Sequence, residues 1–265
     1  MIKWIAVLLM IIDHIGYYLG FLMPEPIYIL LRLVGRLSFP LFAYSIALGF
    51  LRTKNRTRYF SRMFLFAVIT QALLMITSHF THGGVFINVM FTFSLAILFL
   101  AAAELLEKAA GAHNPGVELF GRTIPVLAAI LLAVTAMLVI LGLTFRFNPD
   151  YNIFGILTVF LFYYILKKIR KPDLALAKDK HALLIMFVSF LGLNLIWSLY
   201  KIKFSSTELY WIIMEIFSVF SIGILLLEKP RLKPARMEKY FFYIFYPAHL
   251  VLFMIIRFLL PQLMS

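Results

Sequence analysis

A chain of 265 residues that is 63% hydrophobic, only 14% charged and of mean hydropathy +0.96 is an integral membrane protein by composition, with no stretch left for a soluble domain. The absence of cysteine excludes disulfides, thiolate metal sites and a cysteine nucleophile. The net charge of +13 lies on loops between apolar runs, without an aromatic-rich sheet or recognition helix, so it reads as membrane orientation and attraction to anionic lipid and not as nucleic-acid binding.

Apolar runs long enough to cross a bilayer recur at about 4–23, 27–51, 63–80, 86–105, 123–145, 153–168, 181–200, 209–227 and 240–260. The expected fold is therefore an all-α polytopic bundle of about nine transmembrane helices, forming one domain over residues 1–265. The first run is expected to be a retained helix and not a signal peptide, because Asp13 and His14 interrupt it and no small-residue cleavage site follows. Of the 25 Lys and Arg residues, 19 fall on Lys3 and the loops near 52–62, 106–122, 167–180 and 228–239. The alternate loops and the last span hold Arg146, Lys201, Lys203 and Arg257, which places the N-terminus in the cytoplasm and the C-terminus outside.

Polar residues inside the spans carry the chemical signal. The run LLMIIDHIGYYLG, residues 8–20, sets Asp13 and His14 side by side in what is otherwise hydrocarbon sequence. An ionised group at mid-bilayer costs about 2.5–3.5 kcal/mol even on a lenient scale, so such residues pair with one another and face a protein interior or a wet cavity. At about 1.5 Å per residue, Asp13, His14, His249, Glu215 and Gln71 fall roughly 12–18 Å above the cytoplasmic ends of their helices, with Arg36 and Arg32 somewhat higher. Arg32 and Arg36, four apart, share a helix face and offer two guanidinium groups to carboxylates. Asp13 is expected to pair with an arginine while His14, about 100° around the helix, points elsewhere. Glu215 is expected to brace an arginine, and Asn88, Thr92, Ser94 and Asn194 to link helices by hydrogen bonds. His79 and His82 sit at an outer loop without an evident third ligand, so no metal site is expected.

The blocks KWIAVLLMIIDHIG, LRLVGRLSFPLFAYSIALGFLRTKNRTRYFSRMFLFAVITQ, NVMFTFSLAILFL, DYNIFGIL and KYFFYIFYPAHLVL, in this order, resemble the TraX family of membrane proteins, named for the acetylase of conjugative pilin. Two positions depart from that pattern: Gln71 stands where relatives often carry an acid, and a Tyr-Gly pair stands here as Tyr151-Asn152. The resemblance extends to a wider group of transmembrane acyltransferases with a basic residue, ten residues and then a histidine in the first span, a spacing matched by Lys3 and His14. It implies a bacterial inner-membrane enzyme in which His14 is catalytic. The donor implied is cytoplasmic acetyl-CoA or another acyl-CoA, and the acceptor, a glycan, peptide or small molecule, is reached from the opposite face.

The residues suit such chemistry. A histidine takes a proton from a hydroxyl or amine at neutral pH, and Arg36 or Arg32 offers positive charge to a developing oxyanion. Arg52, Lys54, Arg56 and Arg58, in the loop RTKNRTRYFSR, offer a phosphate-binding mouth at the inner end of the span that carries Arg36. His249, at the depth of His14, is a candidate to orient it. The candidate catalytic set is thus His14, Asp13, Arg36 and His249, with Arg32, Gln71, Asn88 and Glu215 as a surrounding polar layer. The alternatives are a proton-coupled secondary transporter, for which a midplane layer of Asp, Glu, Arg and His is also characteristic, and a non-catalytic subunit of a membrane complex.

Overall fold

The computed structural model describes residues 1–81, 84–112, 116–119, 121–169, 176–204, 209–228 and 236–264, apart from the side chains of 177, 236–240 and 261–264. His82 and the loop cations Arg170, Lys171, Lys229, Arg231 and Lys233 lie outside this set. The helices are α1 (Ile2–Leu19), α2 (Glu25–Gly35), α3 (Ser38–Arg52), α4 (Arg56–Thr81), α5 (Val89–Ala110), α6 (Val126–Phe147), α7 (Asn152–Lys168), α8 (Lys180–Phe204), α9 (Leu209–Phe217), the short α10 (Ser221–Ile224) and α11 (Arg236–Met264). The all-α expectation holds apart from one hairpin, β1 (Gly116–Leu119) against β2 (Arg122–Pro125), whose tight turn uses Gly121 at φ 76°. Among the described residues, eight segments are long and apolar enough to cross a membrane. The ninth expected span is α7, whose 17 residues rise about 26 Å.

The inner helices are α3, α5 and α7, whose facing residues form the main core: Leu41, Tyr44, Ala47 and Phe50 from α3, Ala96, Ile97 and Leu100 from α5, and Ile156, Val159 and Phe162 from α7. Around them the surface is apolar. On α6, Leu127, Leu131, Leu138 and Phe145 point outward, as helices immersed in acyl chains require.

The expected span 209–227 runs through α9, α10 and two short 3-10 turns, and the second expected span is likewise not a single helix. Residues 27–51 break at Arg36 and Leu37 into α2 and α3, and the cause is local. Pro40 has no N–H to return to the Arg36 carbonyl and is tolerated only in the first turn of a helix, so a new helix starts at Ser38. The Ser38 hydroxyl bonds the Ala6 carbonyl of α1 at 2.8 Å and fixes the break against the first helix. A second correction concerns the basic stretch 52–62, expected as a loop. Only residues 53–55 connect the helices, and α4 begins at Arg56.

Candidate functional site

Close approach of α1 and α2 creates the site. Gly35 passes so near α1 that a β-carbon on it would strike Asp13. At this crossing Asp13 Oδ2 meets Arg32 Nη1 at 2.7 Å, and the same nitrogen donates to the Asp13 carbonyl at 3.2 Å. The side chains of the pair are only 16% and 8% exposed. The Arg32 guanidinium also lies 5.2 Å from the Tyr17 ring. Asp13 Oδ1 and the Nε atoms of Arg32 and Arg36 are buried without a hydrogen-bond partner in the protein, so the cluster keeps hydrogen-bonding capacity in hand.

His14 turns away from this pair, toward α11. Its Nδ1 lies 2.8 Å from His249 Nε2, and His249 Nδ1 lies 2.9 Å from the Phe245 carbonyl oxygen. A carbonyl only accepts, so His249 Nδ1 carries a proton. With both rings neutral, His249 Nε2 then accepts from the His14 Nδ1–H, and the lone pair of His14 is left on Nε2. The arrangement holds the His14 tautomer from behind, through His249.

The sequence reading missed a third contribution. The connection between α6 and α7 runs through Asn148, Tyr151 and Asn152 at φ 48°, 63° and 41°, left-handed conformations that non-glycine residues adopt at a cost. Thr92 Oγ1 bonds the Asp150 carbonyl at 2.5 Å and the Asp150 N–H bonds the Ile87 carbonyl at 2.9 Å, which holds the turn in place. This turn carries Tyr151 to a hydrogen bond with the Arg36 guanidinium and sets Asp150 within electrostatic reach of Arg36 and Asp13. Asp150 remains exposed to solvent, but the protein atoms packed around its carboxyl push it up to about 6 despite the opposing charge of Arg36. Asn152 occupies the glycine position of the Tyr-Gly pair, and after glycine asparagine is among the residues best suited to φ 41°. The signal in the sequence was the run Asn148-Pro149-Asp150-Tyr151-Asn152, four of whose residues favour tight turns.

The structure separates other members of the expected layer. Glu215 pairs with Lys201 of α8 and not with an arginine as expected, because α8 extends to Phe204 and carries Lys201 beside α9. Gln71 and Asn88 meet each other and not the histidines. Asn88 Oδ1 caps α5 by accepting from Met90 N at 3.1 Å, its Nδ2 reaches Gln71 Oε1 at 2.9 Å, and Gln71 Nε2 donates to the Phe86 carbonyl at 3.0 Å. Arg56 is drawn out of the expected phosphate-binding mouth. It pairs with buried Glu104 and stacks 4.7 Å from the Phe50 ring, while Tyr163 donates to the same carboxylate at 2.9 Å. Arg52, Lys54 and Arg58 remain exposed. Among the described residues, no group of three His, Asp or Glu is arranged to hold a metal ion.

A bundle of apolar-surfaced helices around a buried set of Asp–Arg and His–His pairs defines a multi-pass membrane protein with a polar interior. The sequence model of one family, described as TraX protein, matches residues 1–257. The chain belongs to the TraX family. No curated protein and no solved structure matches it.

Proposed function

We propose that this TraX-family chain is a membrane acyltransferase that moves an acetyl group from cytoplasmic acetyl-CoA to an acceptor, in the cytoplasmic membrane of a bacterium. The observation that carries this reading is the backing of His14 by His249, which leaves the His14 Nε2 lone pair as a base.

In the proposed reaction His14 Nε2 takes the proton of the acceptor as its oxygen or nitrogen attacks the thioester carbonyl. The carbonyl electrons move to oxygen, and Arg36, whose Nε–H has no acceptor in the protein, faces that negative charge. Collapse breaks the C–S bond, and the departing thiolate takes the proton back from His14, so the acylated acceptor and free coenzyme A leave a neutral imidazole. Asp13 holds Arg32, and Tyr151 with Asp150 aims Arg36. The exposed cations Arg52, Lys54 and Arg58 attract the donor's phosphates at the end of α3 opposite Arg36.

Purified protein with radiolabelled acetyl-CoA tests the reading. His14→Ala is expected to lower transfer by roughly 10²–10⁴-fold while coenzyme A still binds. Unchanged turnover overturns the role of His14. Substrate counterflow in liposomes without any acyl donor overturns the enzyme in favour of a carrier.

A further inference from the structure

Buried hydroxyls in the inner helices close onto their own backbone. Ser94, Thr144 and Thr158 each donate to the carbonyl four residues back, at 2.7–2.8 Å. The seam between α8 and the segment 209–227 does the opposite. Ser198 is 4% exposed, Asn194 1% and Ser221 0%, yet Ser198 Oγ, Asn194 Oδ1 and Ser221 Oγ find no hydrogen-bond partner among the described residues. Glu215 Oε2 is a fourth such atom, since Lys201 takes only Oε1.

The Lys201–Glu215 pair sets the register of these two antiparallel elements. Going inward from it, α8 carries Ser198 and then Asn194, and the segment packed on it carries Ser218 and then Ser221. Residues 218–220 form a 3-10 turn, in which positions three apart line up, so Ser221 stands below Ser218. Because α8 packs along α9, this turn and α10, the two polar stripes share one seam. Farther in, Phe190, Ile222 and Leu225 belong to the main apolar core and close the seam toward the cytoplasm. At its outer end, the Trp211 ring lies 5.9 Å from the Arg36 guanidinium, and Glu215 is within electrostatic reach of Arg36.

We propose that this seam is a water-filled inlet, open at the level of Lys201 and Glu215 and ending at Asn194 and Ser221, which brings water and exchangeable protons to the flank of Arg36. The unpaired atoms identify the ligand, because buried polar groups without a partner are costly and four neighbouring ones call for something polar between them. Steps of three and four residues separate the levels by about 4.5–6 Å, the span that one water covers with two hydrogen bonds of about 2.8 Å. A metal cation suits the seam less well, since Lys201 already neutralises Glu215 and the other groups are uncharged. Lys201 lies one turn from the end of α8, both members of its pair are partly exposed, and the Lys and Arg distribution puts that end on the non-cytoplasmic side. The inlet rests on α8, α9 and α10 and stands independently of acyl transfer at His14.

The chain has no cysteine, so Ser198→Cys and Ser221→Cys each supply a single thiol of nearly the same size as the hydroxyl. Silver ion, a charged thiol reagent small enough to follow a file of water, is added to sealed membrane vesicles of either orientation in chloride-free buffer. The thiols left over are then counted with a fluorescent maleimide after denaturation. Both variants are expected to lose maleimide labelling when silver is added from the outer face and to keep it when silver is added from the cytoplasmic face. Ser94→Cys, equally buried but on a hydroxyl bonded within its own helix, is expected to keep its labelling in both. Loss no greater than in Ser94→Cys overturns the inlet, and so does loss that sodium nitrate slows and choline nitrate does not, which marks a cation site. X-ray radiolysis of the unsubstituted protein in isotope-labelled water tests the same point without a variant. Phe190, at the inner end, is expected to take up the label while Phe162, 5.2 Å beyond it, does not, and an unlabelled Phe190 overturns the inference.

Discussion

His14 and His249 stand 235 positions apart and share a hydrogen bond of 2.8 Å between Nδ1 and Nε2. This contact ties the first helix to the last and leaves only one His14 nitrogen to act as base. His249→Ala is therefore expected to slow acyl transfer by up to about 10²-fold, part of the loss expected for His14→Ala, with little change in the KM for acetyl-CoA. Steady-state kinetics on the purified variant check this, and a KM effect alone means that His249 serves donor binding instead.

Asp13 and Arg32 form a largely buried ion pair at the crossing of α1 and α2. Removing one member strands the other's charge, so Asp13→Ala is expected to destabilise the bundle by about 3–5 kcal/mol. The double variant Asp13→Ala with Arg32→Leu is expected to recover a good part of that loss. Unfolding titrations in detergent micelles read both.

Burial raises the Asp150 carboxyl from its ordinary value of 3.8 to about 6. The folded chain thus holds this proton more tightly than the unfolded chain. Its contribution to stability is complete below about pH 4 and is lost as pH rises through about 6. Asp150→Asn cannot ionise, so between pH 4 and pH 7 the wild type is expected to lose stability relative to the variant. Thermal unfolding of both proteins across that range checks the sign, and parallel curves mean that the carboxyl is not buried in the folded state.

Among the inner-face cations, Arg56 differs from its neighbours in partner as well as in burial. Arg56→Gln is expected to loosen the α4–α5–α7 junction around Glu104 and to lower thermal stability. Arg52→Gln, Lys54→Gln and Arg58→Gln together are expected to weaken coenzyme A binding and flatten its salt dependence, because these cations are exposed and unburdened by that carboxylate. Binding isotherms at two salt concentrations separate the two effects.

Apolar run length made the helical bundle legible, since a membrane-spanning segment has to satisfy its own backbone and announces itself by hydropathy. Depth along each run also brought Asp13, His14 and His249 into one layer with Arg32 above it, and in the structure His14 meets His249 while Asp13 meets Arg32. Depth carries no azimuth, however. It grouped Gln71 and Glu215 with the histidines, whereas Gln71 faces Asn88 and Glu215 faces Lys201. The break at Arg36 was written in Pro40 but masked by continuous hydrophobicity. Asp150 was not counted in the site because it lies between two spans, where the left-handed backbone of Tyr151 and its neighbours sets it within electrostatic reach of Arg36 and Asp13.

A density map of the protein with coenzyme A bound is the most direct test of the central claim. The account predicts the sulfur close to His14 Nε2, within about 3–4 Å of where the acceptor oxygen will sit, with the phosphates near Arg52, Lys54 and Arg58. A thiol ending elsewhere in the bundle, or a His14 Nε2 sealed off by acyl chains from both aqueous sides, contradicts it.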